Sequence, residues 1–230
     1  KVLNLPHTKR SRRIDWPGAV ALAIFLVPLL IIAEQGREWG WGSTSAIVCY
    51  IIGAVGFVLF LLAERLYGDD ALVPLRLFRS RSFSAVNGAA LLMSFGMFGS
   101  IFLLSQFLQT AMGYSPFAAG LRTLPWTAMP VLVAPIAGPL SDRIGGKPLL
   151  ATGLALQTAG LGWIAVLTST TVTYTSLIPA FVLSGIGMGL FFVPVATVVF
   201  GSVSLAEQGV ASGTNNSLRE LGGTMGIAVL

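Results

Sequence analysis

Side chains able to do chemistry are sparse in this sequence, with 9 acidic and 14 basic residues, one histidine and one cysteine in 230. The densest group is Gly138-Pro139-Leu140-Ser141-Asp142-Arg143-Ile144-Gly145-Gly146-Lys147-Pro148, whose Asp142, Arg143 and Lys147 are the only charges between Arg122 and Glu207. A carboxylate and two cations among turn-forming glycines describe a tight loop between two membrane-spanning helices. Asp142 and Arg143 can pair with a neighbouring helix end and latch one face of a bundle shut. A carboxylate near a helix N-terminus is further favoured by the helix dipole. The plainer reading is a solvated loop whose cations only hold it at one membrane face, since an exposed pair alone is worth ~0–1 kcal/mol.

A second group lies inside apolar runs. Counting ~1.5 Å per residue from Leu205 puts Arg219 and Glu220 about 20 Å along the last helix. Charges at that depth face a protein interior or a water path, where they can gate or bind substrate; the alternative is an arginine that snorkels to the inner mouth. In the run 84–111, a turn of about 100° per residue brings Asn87, Ser94, Phe98, Phe102, Ser105 and Gln109 within roughly 60° of one another. Such a polar-aromatic stripe suits a cavity for amphipathic or cationic aromatic molecules, or packing between helices through hydrogen bonds. Met188 and Phe192 are further candidates for the cavity wall. Pro125, Pro130 and Pro135, with Pro139, crowd one run, and each interior proline removes a helical hydrogen bond. That run is expected to be kinked or locally broken, as a bending element for alternating access or as proline common to membrane helices. Gly185-Ile186-Gly187-Met188-Gly189 lies in an apolar span with no preceding strand, so it reads as close helix packing through Gly185 and Gly189, not as a nucleotide loop.

The elements that carry these residues follow from composition. The chain is 54% hydrophobic and 10% charged, with mean hydropathy +0.82. Soluble domains carry about 25% charged residues, so this is a membrane protein. The single histidine, His7, and the single cysteine, Cys49, support neither a disulfide framework nor a thiolate metal site. With no acidic cluster, they also count against an integral-membrane enzyme. The net charge of +5 comes from cations beside apolar runs, which fits a membrane face and not nucleic acid.

Seven runs approach the ~20 residues that a bilayer core needs: 17–35, 45–64, 84–111, 117–140, 148–168, 176–200 and 209–230, the last unfinished. Starting at Lys1 and stopping in an apolar run, the sequence reads as an internal fragment of a longer protein. Asp15 is a helix cap before Pro17, and Ser115 caps a helix with Pro116 in its first turn. Ser204 and Glu207 form a capping box. Loop cations place the leader and the 138–148 loop in the cytoplasm. The 65–82 connection suits a short helix on the headgroups, and Arg122 is expected to snorkel outward. Asn215-Asn216-Ser217 matches a glycosylation sequon at the inner face.

Gly138, Asp142, Arg143, Gly145 and Lys147 match the loop signature of the major facilitator superfamily, Gly-x-x-x-Asp-Arg-x-Gly followed by basic residues; Gly146 stands where the family usually has another arginine. With Asp15-Trp16-Pro17-Gly18, Pro74-Leu75-Arg76-Leu77-Phe78, Gly113–Pro125, Gly209–Gly213 and Arg219–Gly223, the whole sequence resembles the fourteen-span drug:proton antiporters of that superfamily. The resemblance implies an all-α integral membrane fold, a major-facilitator-type bundle with about seven transmembrane helices. Residues 1–14 would be a basic linker, 15–66 the helix pair joining two bundles, 67–82 a cytoplasmic loop, and 83–230 most of the C-terminal six-helix bundle. It implies a monomer in the cytoplasmic membrane that exports amphipathic or cationic drugs in exchange for protons, powered by the proton gradient without a cofactor. The partners would be lipid, substrate, protons and the N-terminal bundle of the same chain, which would carry the proton-coupling carboxylate. Other readings are an exporter of one endogenous metabolite, peptide or lipid, an integral-membrane enzyme, or a membrane scaffold or sensor.

Overall fold

The computed structural model describes residues 15–68, 75–168 and 172–229, with backbone alone at 33, 34, 37, 75 and 206. The basic leader and the middle of the long connection lie outside these residues. Each apolar run forms a helix: α1 (Trp16–Trp39), α2 (Thr44–Tyr67), α3 (Arg81–Thr110), α4 (Pro116–Thr127), α5 (Met129–Ile144), α6 (Gly146–Leu167), α7 (Tyr174–Gly201) and α8 (Gln208–Val229). Among the described residues, five spans are by themselves long and apolar enough to cross a membrane: α2, α3, α4 with α5, α6 and α7. The other two of the seven expected runs form α1 and α8. The apolar stretch described in α1 is shorter, Trp16–Ile32, and α8 is diluted by Asn215, Asn216, Ser217, Arg219 and Glu220.

The helix starts follow local chemistry. Asp15 Oδ1 accepts from Gly18 N–H at 2.7 Å, and Ser115 accepts from Ala118 N–H ahead of α4, where Pro116 needs no donor. Glu207 accepts from both the amide and the hydroxyl of Ser204, closing the turn before α8. Gly145, with φ +85°, makes the α5–α6 turn in a region that side chains avoid.

The chain divides into two compact units, 1–76 and 77–230. In the first, α1 and α2 pack through glycine: a Cβ on Gly56 would stand 2.5 Å from the Phe25 amide nitrogen. The Phe25 and Phe57 rings meet at 5.0 Å. In the second, α7 is the central element. Its Gly187 faces α6, where a Cβ would lie 2.5 Å from Gln157 N. Its Gly189 faces α5, where a Cβ would lie 2.7 Å from Val133 Cβ. Gly222 and Gly226 of α8 close in the same way on the carbonyls of Leu91 and Phe95 in α3. Two apolar clusters fill this unit, one around Phe83, Met93, Phe191 and Val195, the other around Leu108, Trp126, Leu177 and Phe181.

The proline-rich run is interrupted at a single residue. Pro125, Pro135 and Pro139 sit inside helices, and α4 gives way to α5 at Ala128, just before Pro130, although Ala128 keeps right-handed helical dihedrals (φ −86°, ψ −20°) and its N–H still reaches the Leu124 carbonyl at 2.9 Å. Pro130 has no N–H to give the Trp126 carbonyl, and that carbonyl lies against Gly185 of α7. The connection before α3 differs from expectation as well. Its described part is a 3-10 helix, Leu75–Arg79, whose Leu77 is buried and whose Phe78 packs on Phe83 at 5.3 Å. These apolar side chains are anchored in the second unit's core and are not free to lie on headgroups.

If backbone approach at α7 holds this unit together, Gly187→Leu will destabilise the full-length protein by about 1–3 kcal/mol. Gly162→Leu, which meets open space, will leave the thermal midpoint in detergent within error of the parent.

Candidate functional site

The most polar helix in the second unit is α8, and Ser212, Asn215, Asn216 and Arg219 share one side of it. A cavity of about 280 Å³ lies between α7 and α8, lined by Phe192, Ala196, Ser212, Asn215, Asn216 and Arg219 among others. Arg219 is the one charged residue in that lining. Its guanidinium sits over the Phe192 ring at 4.2 Å, and its Nε is buried without a hydrogen-bond partner. Stacking on an aromatic face covers the plane of the cation and leaves the two terminal Nη groups free to bind. Glu220, next in sequence, is exposed and outside the lining.

Asn215 stands at the seam between this cavity and α3, held by a chain of bonds with a fixed direction. Asn87 Nδ2 donates to the Phe83 carbonyl at 2.9 Å, and a carbonyl can only accept. Asn87 must therefore present Oδ1 to its partner, and Asn215 Nδ2 donates to it at 3.0 Å. Asn215 Oδ1 is left as an acceptor on a residue that lines the cavity. An interhelical amide pair of this kind both ties α3 to α8 and sets which atom faces the space.

The residues expected to form a single stripe on α3 divide between environments. Asn87 and Ser94 are fully buried, and the Ser94 hydroxyl has no partner. The Phe98 ring faces Gly223 of α8, and Phe98 and Phe102 are both exposed. Gln109 is satisfied within its own helix, donating to the Ser105 carbonyl and hydroxyl at 3.2 and 3.0 Å. Both α7 candidates pack against the two apolar clusters, and of the two Phe192 also lines the cavity.

The signature residues sit where α5 meets α6. Gly138 is within α5, while Asp142 and Arg143 lie in its last turn. Asp142 is thus at a helix C-terminal end, which corrects the expected N-terminal placement and removes the favourable dipole term. Both side chains are exposed and, among the described residues, neither makes an ion pair. Gly145 and Lys147 border a separate cavity of about 430 Å³ that includes Ser82, Thr197 and Ser202.

Arg122 also departs from expectation. It folds back instead of reaching outward, with its guanidinium 3.7 Å from the Tyr114 ring and 5.4 Å from that of Tyr174. Nη1 donates to the Ala118 carbonyl, and the Tyr174 hydroxyl donates to the carbonyl of Arg122. Two aromatic rings compensate the cation better than an open helix surface would.

Sequence reading missed the pairing of Asn215 with Asn87, and it missed Gln157. Gln157 is buried against α7 with neither amide atom bonded. A lone amide in the apolar run 148–168 was the available signal for Gln157. For Asn215 it was the small-residue face Ala211, Gly222 and Gly226, on which a larger polar side chain stands out.

A sequence profile described as Major Facilitator Superfamily matches residues 16–227. A tetracycline resistance determinant of Streptomyces rimosus is 36% identical over 218 residues, 94% of this chain and 62% of the relative. The multidrug resistance protein Stp of Mycobacterium tuberculosis is 32% identical over 222 residues, 96% of this chain and 41% of the relative. The multidrug export protein EmrB of Escherichia coli is 30% identical over 219 residues, 95% of this chain and 43% of the relative. The chain thus spans between about two fifths and three fifths of these relatives.

The Asn87–Asn215 bond makes a quantitative prediction. In a double-mutant cycle with Asn87→Ala and Asn215→Ala, equilibrium unfolding of the full-length protein in mixed micelles will give a coupling of about 0.5–1.5 kcal/mol. A coupling of zero would mean that the two amides are independent.

Proposed function

The chain belongs to the Major Facilitator Superfamily, and on that premise we propose that the protein it builds is a secondary transporter, not an enzyme. It exports amphipathic drugs or related small molecules across the cell membrane in exchange for protons, by alternating access. The observation that carries this reading is that relatives at least 30% identical across nearly the whole chain are named for drug resistance and export. The polar cavity walled by α7 and α8 supports it, since an exporter needs a hydrated space inside an apolar bundle.

In this reading 15–66 is the helix pair between two bundles and 83–230 is most of the second bundle. The first bundle, from the same chain, completes the cavity and brings the proton-coupling group, and the protein works as a monomer without a cofactor. The leader, the 67–82 connection and the 138–148 loop face the cytoplasm, because eleven of the 14 cations lie on that side of the assigned topology. Asp142 and Arg143 latch that face in the state where it is closed, with partners supplied when the bundles meet. The missing donor at Pro130 weakens the α4–α5 junction, where this span bends during the cycle.

Energised inside-out vesicles containing the full-length protein will release protons when an amphipathic dye such as ethidium or an amphipathic acid such as 9-anthracenecarboxylate is added. Asp142→Asn will slow that release roughly tenfold, a barrier change of ~1.4 kcal/mol, without changing the amount of folded protein. No substrate-dependent proton movement by a folded parent across a broad panel would overturn the proposal.

A further inference from the structure

The charge in the α7–α8 cavity narrows the chemistry of what can enter it. Arg219 is the one ionic group in the lining, and its neighbours there are the hydroxyl of Ser212, the amides of Asn215 and Asn216 and the apolar wall around Phe192 and Ala196. Among the described residues, no carboxylate is bonded to Arg219, whose Nε is buried and unpartnered. Its guanidinium lies over the Phe192 ring at 4.2 Å, and the Glu220 carboxylate, next in sequence, acts on its charge from outside the lining. A cation stacked on a ring keeps its charge and its N–H edge, and that edge matches a carboxylate or a comparable delocalised anion by two parallel bonds. Cationic aromatics, the class expected of the α3 stripe, would meet a like charge here.

The amide one turn away adds a second point of recognition. Residues four apart on a helix have Cβ atoms about 5–6 Å from each other, so Asn215 and Arg219 stand side by side along the cavity. The Phe83–Asn87–Asn215 bond sequence turns Asn215 Oδ1 into an acceptor, beside a donor-only guanidinium. A ligand that satisfies both carries an anionic group and, one short aromatic step away, a hydroxyl or N–H.

We propose that the α7–α8 cavity is an acid-recognising subsite, taking planar amphipathic aromatic anions with the anionic group on Arg219 and a neighbouring donor on Asn215. This rests on the transport reading above and specifies the charge class of its substrates.

The test is equilibrium binding to the purified full-length protein in nanodiscs free of anionic lipid. The probes share one ring system: 9-anthracenecarboxylate, the neutral 9-anthracenecarboxamide and the cationic 9-(aminomethyl)anthracene. The parent will bind the carboxylate at least tenfold more tightly than the amide, and the amine more weakly than either. Arg219→Gln will remove that preference, Arg219→Lys will keep part of it, and Glu220→Gln will leave it unchanged. Ser212→Glu, at an exposed helix position that should not disturb folding, will reverse the order of carboxylate and amine.

A parent that binds the amine as tightly as the carboxylate overturns the proposal, whether or not Arg219→Gln folds. So does an unaltered carboxylate preference in folded Arg219→Gln or Ser212→Glu. Proton release driven by the amine but not by the carboxylate would sink the acid subsite and leave the transport reading standing. Carboxylate binding through Arg219 with no proton movement for any probe would do the reverse.

Discussion

Between helices in hydrocarbon there is no hydrophobic gain from burial, so association depends on how closely backbones can approach. In the second unit that approach is granted by glycine, and α7 has it on two sides: Gly187 toward α6 and Gly185 with Gly189 toward α4 and α5. The α3–α8 pair has its own set in Gly222 and Gly226. The α7–α8 boundary carries no such set, and bulky Phe192 and Arg219 face one another across it instead. The cavity is the consequence. Gly213 of α8 lies in that lining with nothing within 4 Å of where a Cβ would be, so the helices stand apart here and polar side chains occupy the space.

The same economy governs the proline-rich run. Losing a helical hydrogen bond in an apolar medium is costly unless the freed carbonyl is covered. Pro130 releases the Trp126 carbonyl, and Gly185 lets the α7 backbone lie against it. The proline and the glycine are therefore one device on two helices: the first leaves the Trp126 carbonyl without its helical donor and the second covers it. Trp126 itself is fully buried between Phe181 and the surrounding cluster, so the break is seated in packed protein.

Much of this was legible from residue types. Helix positions followed from the apolar runs, and starts such as Asp15, Ser115 and Ser204 followed from capping chemistry, because those signals are local. The break before Pro130 was expected for the run as a whole but not located, since four prolines look alike in sequence and only tertiary contact singles one out. The α3 stripe was read from helical angle alone, and angle does not say what lies opposite: Asn87 meets α8, whereas Gln109 turns back on Ser105. Arg122 was expected to reach outward because Tyr174, 52 residues away, could not be foreseen as its neighbour. Asp142 went to the wrong end of a helix by a few residues, the distance over which helix boundaries are least readable.

The central claim is that the polar side of α8 faces a water-filled space in a membrane bundle. Substituted-cysteine labelling tests it most directly, in full-length protein from which Cys49 and any other thiols have been removed. Asn216→Cys, on the cavity wall, should react with a membrane-impermeant maleimide in vesicles of suitable orientation and be protected by a bound aromatic acid. Ala159→Cys, exposed in the middle of α6, should not react until the membrane is dissolved. Rapid labelling at Ala159 with none at Asn216 would contradict the account, because it would place water on the apolar side of the bundle and lipid or packed protein against α8.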